Sequence, residues 1–204
     1  MNNIFKAGLM AAAIGVAGWH PSSQAAGFTG IYSPSNWTVA TNGGTGSVDT
    51  SGAPNTITLT GNSYFNNRVS TDYTTIASGS GKVSFDWAYS SEESWSAYDR
   101  FGYLLNGAFT PLSDGNVYAI YDPVTGMNEP LQLSGTYSFD VTSGDSFGFR
   151  MDSDPSVQSS TTISNFSAPV AATPVPGPLP VLGVLAAFGF SRRLRARIHA
   201  ARPA

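Results

Sequence analysis

The chain has 204 residues, enough for one globular domain with flanking segments, and its 22 glycines, 13 prolines and 11% charged residues are typical of short strands and tight turns. Because it has no cysteine and both histidines, His20 and His199, lie near the ends, the body cannot carry a disulfide, a Ser-His-Asp triad, a Cys-His pair or an ordinary zinc site. The formal net charge is -3, but the charges are unevenly distributed along the chain. The body contains all 13 carboxylates and only four basic residues, so its own net charge is -9: Arg68, Lys82, Arg100 and Arg150. Such a negative body excludes nucleic acid as a partner.

The N-terminal segment has the pattern of a secretory signal peptide. Lys6 is followed by an apolar run over residues 7–18, and small residues then occupy the -3 and -1 positions before the bond that follows Ala25. The run has the length of a signal helix and is too short to span a bilayer. The alternative is an N-terminal core helix. The pattern predicts a signal peptide over residues 1–25, removed by signal peptidase after Ala25 or Ala26, and hence export.

The body, residues 26–168, is dominated by alternation of apolar and polar residues with period two, which predicts strands with one buried face. Two of these strands flank the hairpin loop 142–145, and Asn106-Gly107 and Asp114-Gly115 have the composition of tight turns. Residues 28–37 are expected to form an edge strand or a covering arm. Strands are predicted at 57–60, 83–89, 101–105, 117–121, 137–141, 147–151 and 161–166. This all-β pattern favours an antiparallel β-sandwich of jelly-roll type, with a single closed barrel as the alternative.

Carboxylates provide the only catalytic chemistry that the body could use. An acid and a nucleophile or base on either side of a sugar bond would make a glycosidase. The candidate acids and aromatics are Asp86, Glu92, Glu93 and Asp99, with Trp87, Tyr89, Trp95 and Tyr98. Against this hypothesis, Trp87 and Tyr89 share the alternating face expected in the core, and residues 92–99 resemble a solvated loop. The sequence therefore favours a protein that is not an enzyme.

A structural calcium ion is a second hypothesis, because calcium is coordinated by oxygen atoms alone. Asp152 and Asp154 come at the end of a predicted strand, and Asp145 lies in the preceding hairpin loop. The spacing of an EF-hand is absent, and aspartates between strands commonly serve turn geometry.

Aromatic residues in loops suggest a third activity, carbohydrate binding. Trp95 and Tyr98 lie in a predicted loop, and Tyr118 and Tyr121 are further candidates. The competing interpretation is ordinary packing at the core and rim of a sandwich.

The C-terminal segment combines a spacer, an apolar run and a cluster of positive charge. Prolines mark a linker over residues 169–180, and the apolar run begins the hydrophobic helix expected within residues 181–204. The arginines that follow predict a cytoplasmic membrane stop: Arg192, Arg193, Arg195 and Arg197. An ordinary anchor helix is the alternative, and it has the same topology.

This tail resembles the PEP-CTERM sorting signal of bacteria that make extracellular polysaccharide. The triplet here is Pro176, Gly177 and Pro178, with glycine at the position of the glutamate in the name. The resemblance covers about thirty residues and implies recognition by an exosortase-type enzyme, with removal of the tail near the prolines. Together these patterns predict a non-enzymatic protein of the cell envelope or extracellular matrix that interacts with extracellular polysaccharide or the cell surface. The alternatives are a carboxylate-dependent glycan-cleaving enzyme and a purely structural envelope protein.

Overall fold

The computed structural model of the chain describes residues 23–62, 67–113, 115, 117–154 and 157–172. All of them belong to one compact unit, Met1–Ala172. The strands, in chain order, are β1 Ser23–Ala26, β2 Thr38–Ala40, β3 Ser47–Asp49, β4 Thr56–Thr60, β5 Val69–Ile76, β6 Gly81–Ser91, β7 Arg100–Leu105, β8 Ala108–Pro111, β9 Tyr121–Asp122, β10 Met127–Asn128, β11 Leu131–Val141, β12 Ser146–Ser153 and β13 Ser160–Val170.

The strands form two antiparallel sheets and one short hairpin. The first sheet has the order β11-β6-β13-β4-β3, and β1 pairs with the end of β13 that β4 leaves free. The second sheet has the order β2-β5-β12-β7-β8, and β9 pairs with β10 alone. The predicted antiparallel β-sandwich is thereby confirmed, while the jelly-roll assignment stays a prediction. The helices expected at the two termini lie outside the described residues.

The core consists of the inward faces of both sheets, and it is largely aromatic. Its fully buried large side chains come from the alternating positions that the sequence predicted and include Phe85, Tyr89, Phe101, Phe147, Phe149, Met151, Ile163 and Phe166. Burying each such side chain stabilises the fold by about 1.5–3 kcal/mol. Trp87 and Tyr89 belong to this packing, so the core interpretation of these two aromatics is correct.

Residues 28–37 form a covering arm rather than a strand. They make two 3-10 turns, Gly30–Tyr32 and Pro34–Asn36, and bury Phe28, Tyr32 and Trp37. The Trp37 ring stacks on Tyr73 with centroids 4.6 Å apart, and its Nε1–H donates to the Tyr32 carbonyl at 3.0 Å. The arm therefore extends the aromatic core.

The prediction of a strand at residues 117–121 is wrong. Tyr118 makes only an isolated bridge with Trp95, and β9 begins at Tyr121. The turn predicted at Asn106-Gly107 joins β7 to β8, with positive φ angles of 50° and 82°. Asp114 lies outside the described residues. Within the part of the chain that is described, no helix is long and apolar enough to cross a membrane.

Candidate binding site

Two segments that lie outside the sheets meet at one end of the sandwich. The first is the loop between β6 and β7, and the second is residues 117–130, here called the aromatic hairpin. The backbone N–H of Ser96 donates to the Val117 carbonyl at 2.9 Å, and the N–H of Ala119 donates to the Ser94 carbonyl at 2.9 Å. The Ser96 hydroxyl also accepts from the Val117 N–H at 3.1 Å. The loop thus fixes the start of the hairpin.

Three aromatic side chains form a cluster at this junction. The rings of Trp95 and Tyr118 stack with centroids 5.7 Å apart and an interplanar angle of 4°. Tyr98 meets Trp95 edge to face at 5.3 Å. Tyr118 is nevertheless 64% exposed, so most of its surface remains open to solvent. The half-buried Trp95 therefore supports an aromatic ring that is presented to the outside.

The tip of the aromatic hairpin is ordered by Asp122. Its two carboxylate oxygens accept from the Val124 N–H and the Thr125 hydroxyl, each at 2.8 Å. These hydrogen bonds, chiefly that from Val124, lower the pKa of Asp122 and keep the carboxylate charged. The Glu129 N–H closes the hairpin by donating to the Ile120 carbonyl at 2.7 Å.

Two adjoining hollows lie along the aromatic hairpin. One of about 500 Å³ is lined by Tyr118 and Tyr121, and one of about 630 Å³ is lined by Glu92; Asp122 and Glu129 line both. We call the two together the groove. Large apolar side chains near it face solvent instead of the core: Ile120, Tyr121, Val124 and Met127. Clustered exposed apolar side chains make the groove a candidate interaction surface.

Two acidic residues of the β6–β7 loop are buried. Asp99 is fully buried and Glu93 nearly so. Oδ1 of Asp99 accepts from the Asp154 N–H at 2.8 Å, which ties the loop to the end of β12. Burial raises the pKa of Asp99 to about 7, and the charges of Asp154 and Glu93 act in the same direction.

The candidate catalytic carboxylates do not converge on a cleft. Asp86 lies on the outer face of its sheet, where it accepts from the Thr136 hydroxyl and the Asn165 amide at 2.6 Å each. Asp99 is enclosed, whereas Glu92 is exposed on the rim of the groove. Since a glycosidase needs two carboxyl groups facing each other across the sugar, this arrangement does not favour that alternative.

The three aspartates proposed for calcium are not brought together. Asp145 precedes β12, where it accepts from the Thr142 N–H at 2.7 Å, and Asp152 lies near the other end of that strand. At about 3.3 Å per residue, the two are about 23 Å apart. Asp152 is instead paired with Arg68 and Arg100. Among the described residues, no three acidic, histidine or cysteine side chains are arranged to hold a metal ion.

The residues proposed for export and sorting lie mostly outside the described part of the chain. This applies to the triplet 176–178 and to the arginines of the tail. Ala25 and Ala26 are described, and they pair with Ala168 and Ser167 of β13.

The structure brings together Trp95 and Tyr98 and places Tyr118, a further candidate from the sequence, beside them. The groove, and the positions of Asp122 and Glu129 in its lining, were not predicted from the sequence. The signal available was two prolines, Pro123 and Pro130, which interrupt any continuous strand through this segment.

No family model matches the chain, and no curated protein matches it. Among solved structures, it is similar to a family 35 carbohydrate binding module from Clostridium thermocellum, with 10% identity over 70% of this chain and 98% of that one, at a TM-score of 0.32. A CBM35 from Paenibacillus barcinonensis has 12% identity over 74% and 99%, with a TM-score of 0.32. The module CBM6cm-2 from Cellvibrio mixtus lichenase 5A, in complex with cellotriose, has 9% identity over 69% and 95%, with a TM-score of 0.30. Overlaps this weak carry over no function, so what this chain binds has to follow from its own residues.

Proposed function

We propose that the sandwich binds extracellular polysaccharide without cleaving it, and that the aromatic hairpin is its binding surface. The observation that carries this proposal is the Tyr118 ring, which is stacked on Trp95 and still 64% exposed. The C–H faces of a sugar ring are apolar and pack against the negative face of an aromatic ring. Tyr121 extends the same surface along the groove.

The groove suits an extended polymer better than a small enclosed ligand. It runs along the surface, and its polar rim offers carboxylate oxygens that accept hydrogen bonds from sugar hydroxyls. A ring held by Trp95 is already ordered before the ligand arrives, so little side-chain entropy is lost on binding.

The test is affinity electrophoresis of the full chain and of Tyr118→Ala in gels containing neutral soluble polysaccharides. Stacking of one ring contributes about 0.5–1.5 kcal/mol, so the variant should bind roughly 2- to 12-fold more weakly. Ile76→Ala is the control, because Ile76 is 55% exposed at the end of β5 and does not line the groove. Equal binding by Tyr118→Ala and the parent chain would reject this surface. Retention by no polysaccharide would favour a structural envelope role.

We also propose that the chain is exported and that an exosortase-type enzyme sorts it through its tail, which passes transiently through the cytoplasmic membrane. Support comes from the signal-like segment 1–25 and from the order of prolines, apolar run and arginines after residue 169. Intact-mass spectrometry of the protein recovered from host membrane and medium tests both steps. Loss of the two ends is expected, and a mass that retains residues 192–197 would contradict tail removal.

A further inference from the structure

Three carboxylates line the groove. Glu92 lines it from the β6–β7 loop, and Asp122 and Glu129 line it from the aromatic hairpin. Glu92 and Glu129 are exposed, and the carboxylate of Asp122 stays charged because its own turn donates to it. None of the described residues that line the groove is basic.

The basic residues of the body are all engaged elsewhere. Arg68 and Arg100 both pair with Asp152, and Arg150 pairs with Asp72 at 2.6 Å. Lys82 pairs with Asp140 at 3.2 Å. These four are the whole basic complement between residues 27 and 172. An anionic polymer in the groove would therefore meet three carboxylates and no unpaired cation.

Charge complementarity favours the opposite kind of ligand. Oppositely charged groups a few ångströms apart at a protein surface attract, and like charges repel with comparable strength. Sugar rings that carry ammonium groups would stack on the tyrosines while each ammonium donates hydrogen bonds to a carboxylate. A neutral polymer would use only the stacking and the weaker hydroxyl contacts.

We propose that the ligand of the groove is an amine-bearing polysaccharide, whose sugar rings stack on Tyr118 and Tyr121 while its ammonium groups face Glu92 and Glu129. This inference rests on the proposed function and specifies its ligand class. In this proposal the tyrosines and the glutamates have different roles. The tyrosines bind any sugar polymer of suitable shape, and the glutamates select the amine-bearing one.

The experiment compares three probes on the full chain by isothermal titration calorimetry: a deacetylated glucosamine polymer, its neutral N-acetylated counterpart, and a uronic acid polymer. The solution is buffered at a pH at which the amines are protonated. We expect the amine-bearing polymer to bind about tenfold more tightly than the acetylated one, and the uronic acid polymer not to bind. This preference should shrink as salt is raised, because salt screens exposed charges.

The deciding variant is the double substitution Glu92→Gln and Glu129→Gln. It should abolish the tenfold preference, because the amine-bearing polymer loses its two charged partners, whereas the acetylated polymer keeps the tyrosines and can still donate its hydroxyls to the glutamine carbonyl oxygens. Its matched control is Asp49→Asn with Asp140→Asn, which removes the same amount of charge at exposed positions that do not line the groove. The control should retain the preference.

Three results would overturn the inference. If the control variant loses the preference as fully as the groove variant, the attraction is diffuse and the groove does not select. If the parent chain binds the amine-bearing and acetylated polymers equally, the ligand class is wrong while the proposed function stands. If neither polymer binds, both the inference and the proposed function fail.

Discussion

Asp99 is the residue whose chemistry depends most on where the fold places it. Its carboxyl is fully buried in the β6–β7 loop, and one of its oxygens accepts from the Asp154 N–H. Burial disfavours the charged form, so the pKa rises from 3.8 to about 7. The folded chain therefore holds a proton on Asp99 at a pH where the unfolded chain has already lost it.

This difference predicts a dependence of stability on pH. Between about pH 4 and pH 7 the folded state binds one more proton at Asp99 than the unfolded state does, so the free energy of unfolding contributed by this group falls as pH rises. The Asp99→Asn variant has no such proton to lose. We expect it to match the parent chain near pH 4 and to exceed it near pH 8 by on the order of 2 kcal/mol, as measured by urea denaturation.

An exposed carboxylate provides the control. Asp140 is exposed and paired with Lys82, and Asp140→Asn should follow the parent chain at both pH values to within about 0.5 kcal/mol. A pH trend in Asp99→Asn as steep as that of the parent chain would show that another group is responsible.

At the scale of elements, strand prediction succeeded where inward and outward residues differ in polarity. Val83, Phe85 and Tyr89 point inward in β6 and alternate with polar residues, so the period of two is visible in the sequence. In β5 the inward positions include Thr71 and Thr75 as well as Tyr73, and the alternation disappears. This strand was missed because polar side chains occupy buried positions.

In the aromatic hairpin the sequence predicted a strand, at residues 117–121, that the structure does not contain. Val117, Tyr118 and Ile120 have the apolar character of a strand, but Ile120 is 75% exposed and Tyr118 is 64% exposed. Periodicity cannot distinguish an apolar residue that faces the core from one that faces solvent. The aromatic loop residues Trp95 and Tyr98 could be predicted from the sequence, whereas the groove depends on long-range pairing between the β6–β7 loop and residues 117–130.

The covering arm, residues 28–37, yields a prediction about stability. Trp37 packs between aromatic rings of the arm and the second sheet, including Phe28 at 5.8 Å and Phe149 at 5.8 Å. Trp37→Ala would leave a cavity and an unpaired Tyr32 carbonyl, and it should lower the free energy of unfolding by about 3–5 kcal/mol. Urea denaturation monitored by near-ultraviolet circular dichroism measures this loss.

A second substitution in the covering arm serves as the control. It distinguishes the loss of Trp37 packing from a general sensitivity of residues 28–37 to substitution. Ile31 is 51% exposed, and Ile31→Ala should change the free energy of unfolding by no more than about 0.5 kcal/mol. Should Trp37→Ala prove as stable as Ile31→Ala, the arm does not contribute to the core as described.

At the scale of the whole molecule, the cleavage sites predicted for export fall within strand β1. Ser23–Ala26 pair with the end of β13, and the predicted signal-peptidase sites follow Ala25 and Ala26. Cleavage there removes most or all of this strand from the mature sandwich. Two backbone hydrogen bonds remain at this point, from the Gly27 N–H to the Phe166 carbonyl at 2.7 Å and from the Phe28 N–H to the Pro54 carbonyl at 2.9 Å.

The mature fold should tolerate this loss. Three of the four residues of β1 are exposed, and only Ala25 packs against the core, so removing the strand sacrifices little apolar burial. We expect a chain that begins at Gly27 to melt about 2–4 °C below one that begins at Ser23, corresponding to about 1 kcal/mol, when both are measured by calorimetry. A drop several times larger would mean that β1 is an integral strand of the sandwich, and it would contradict the expectation that the fold tolerates cleavage after Ala25 or Ala26.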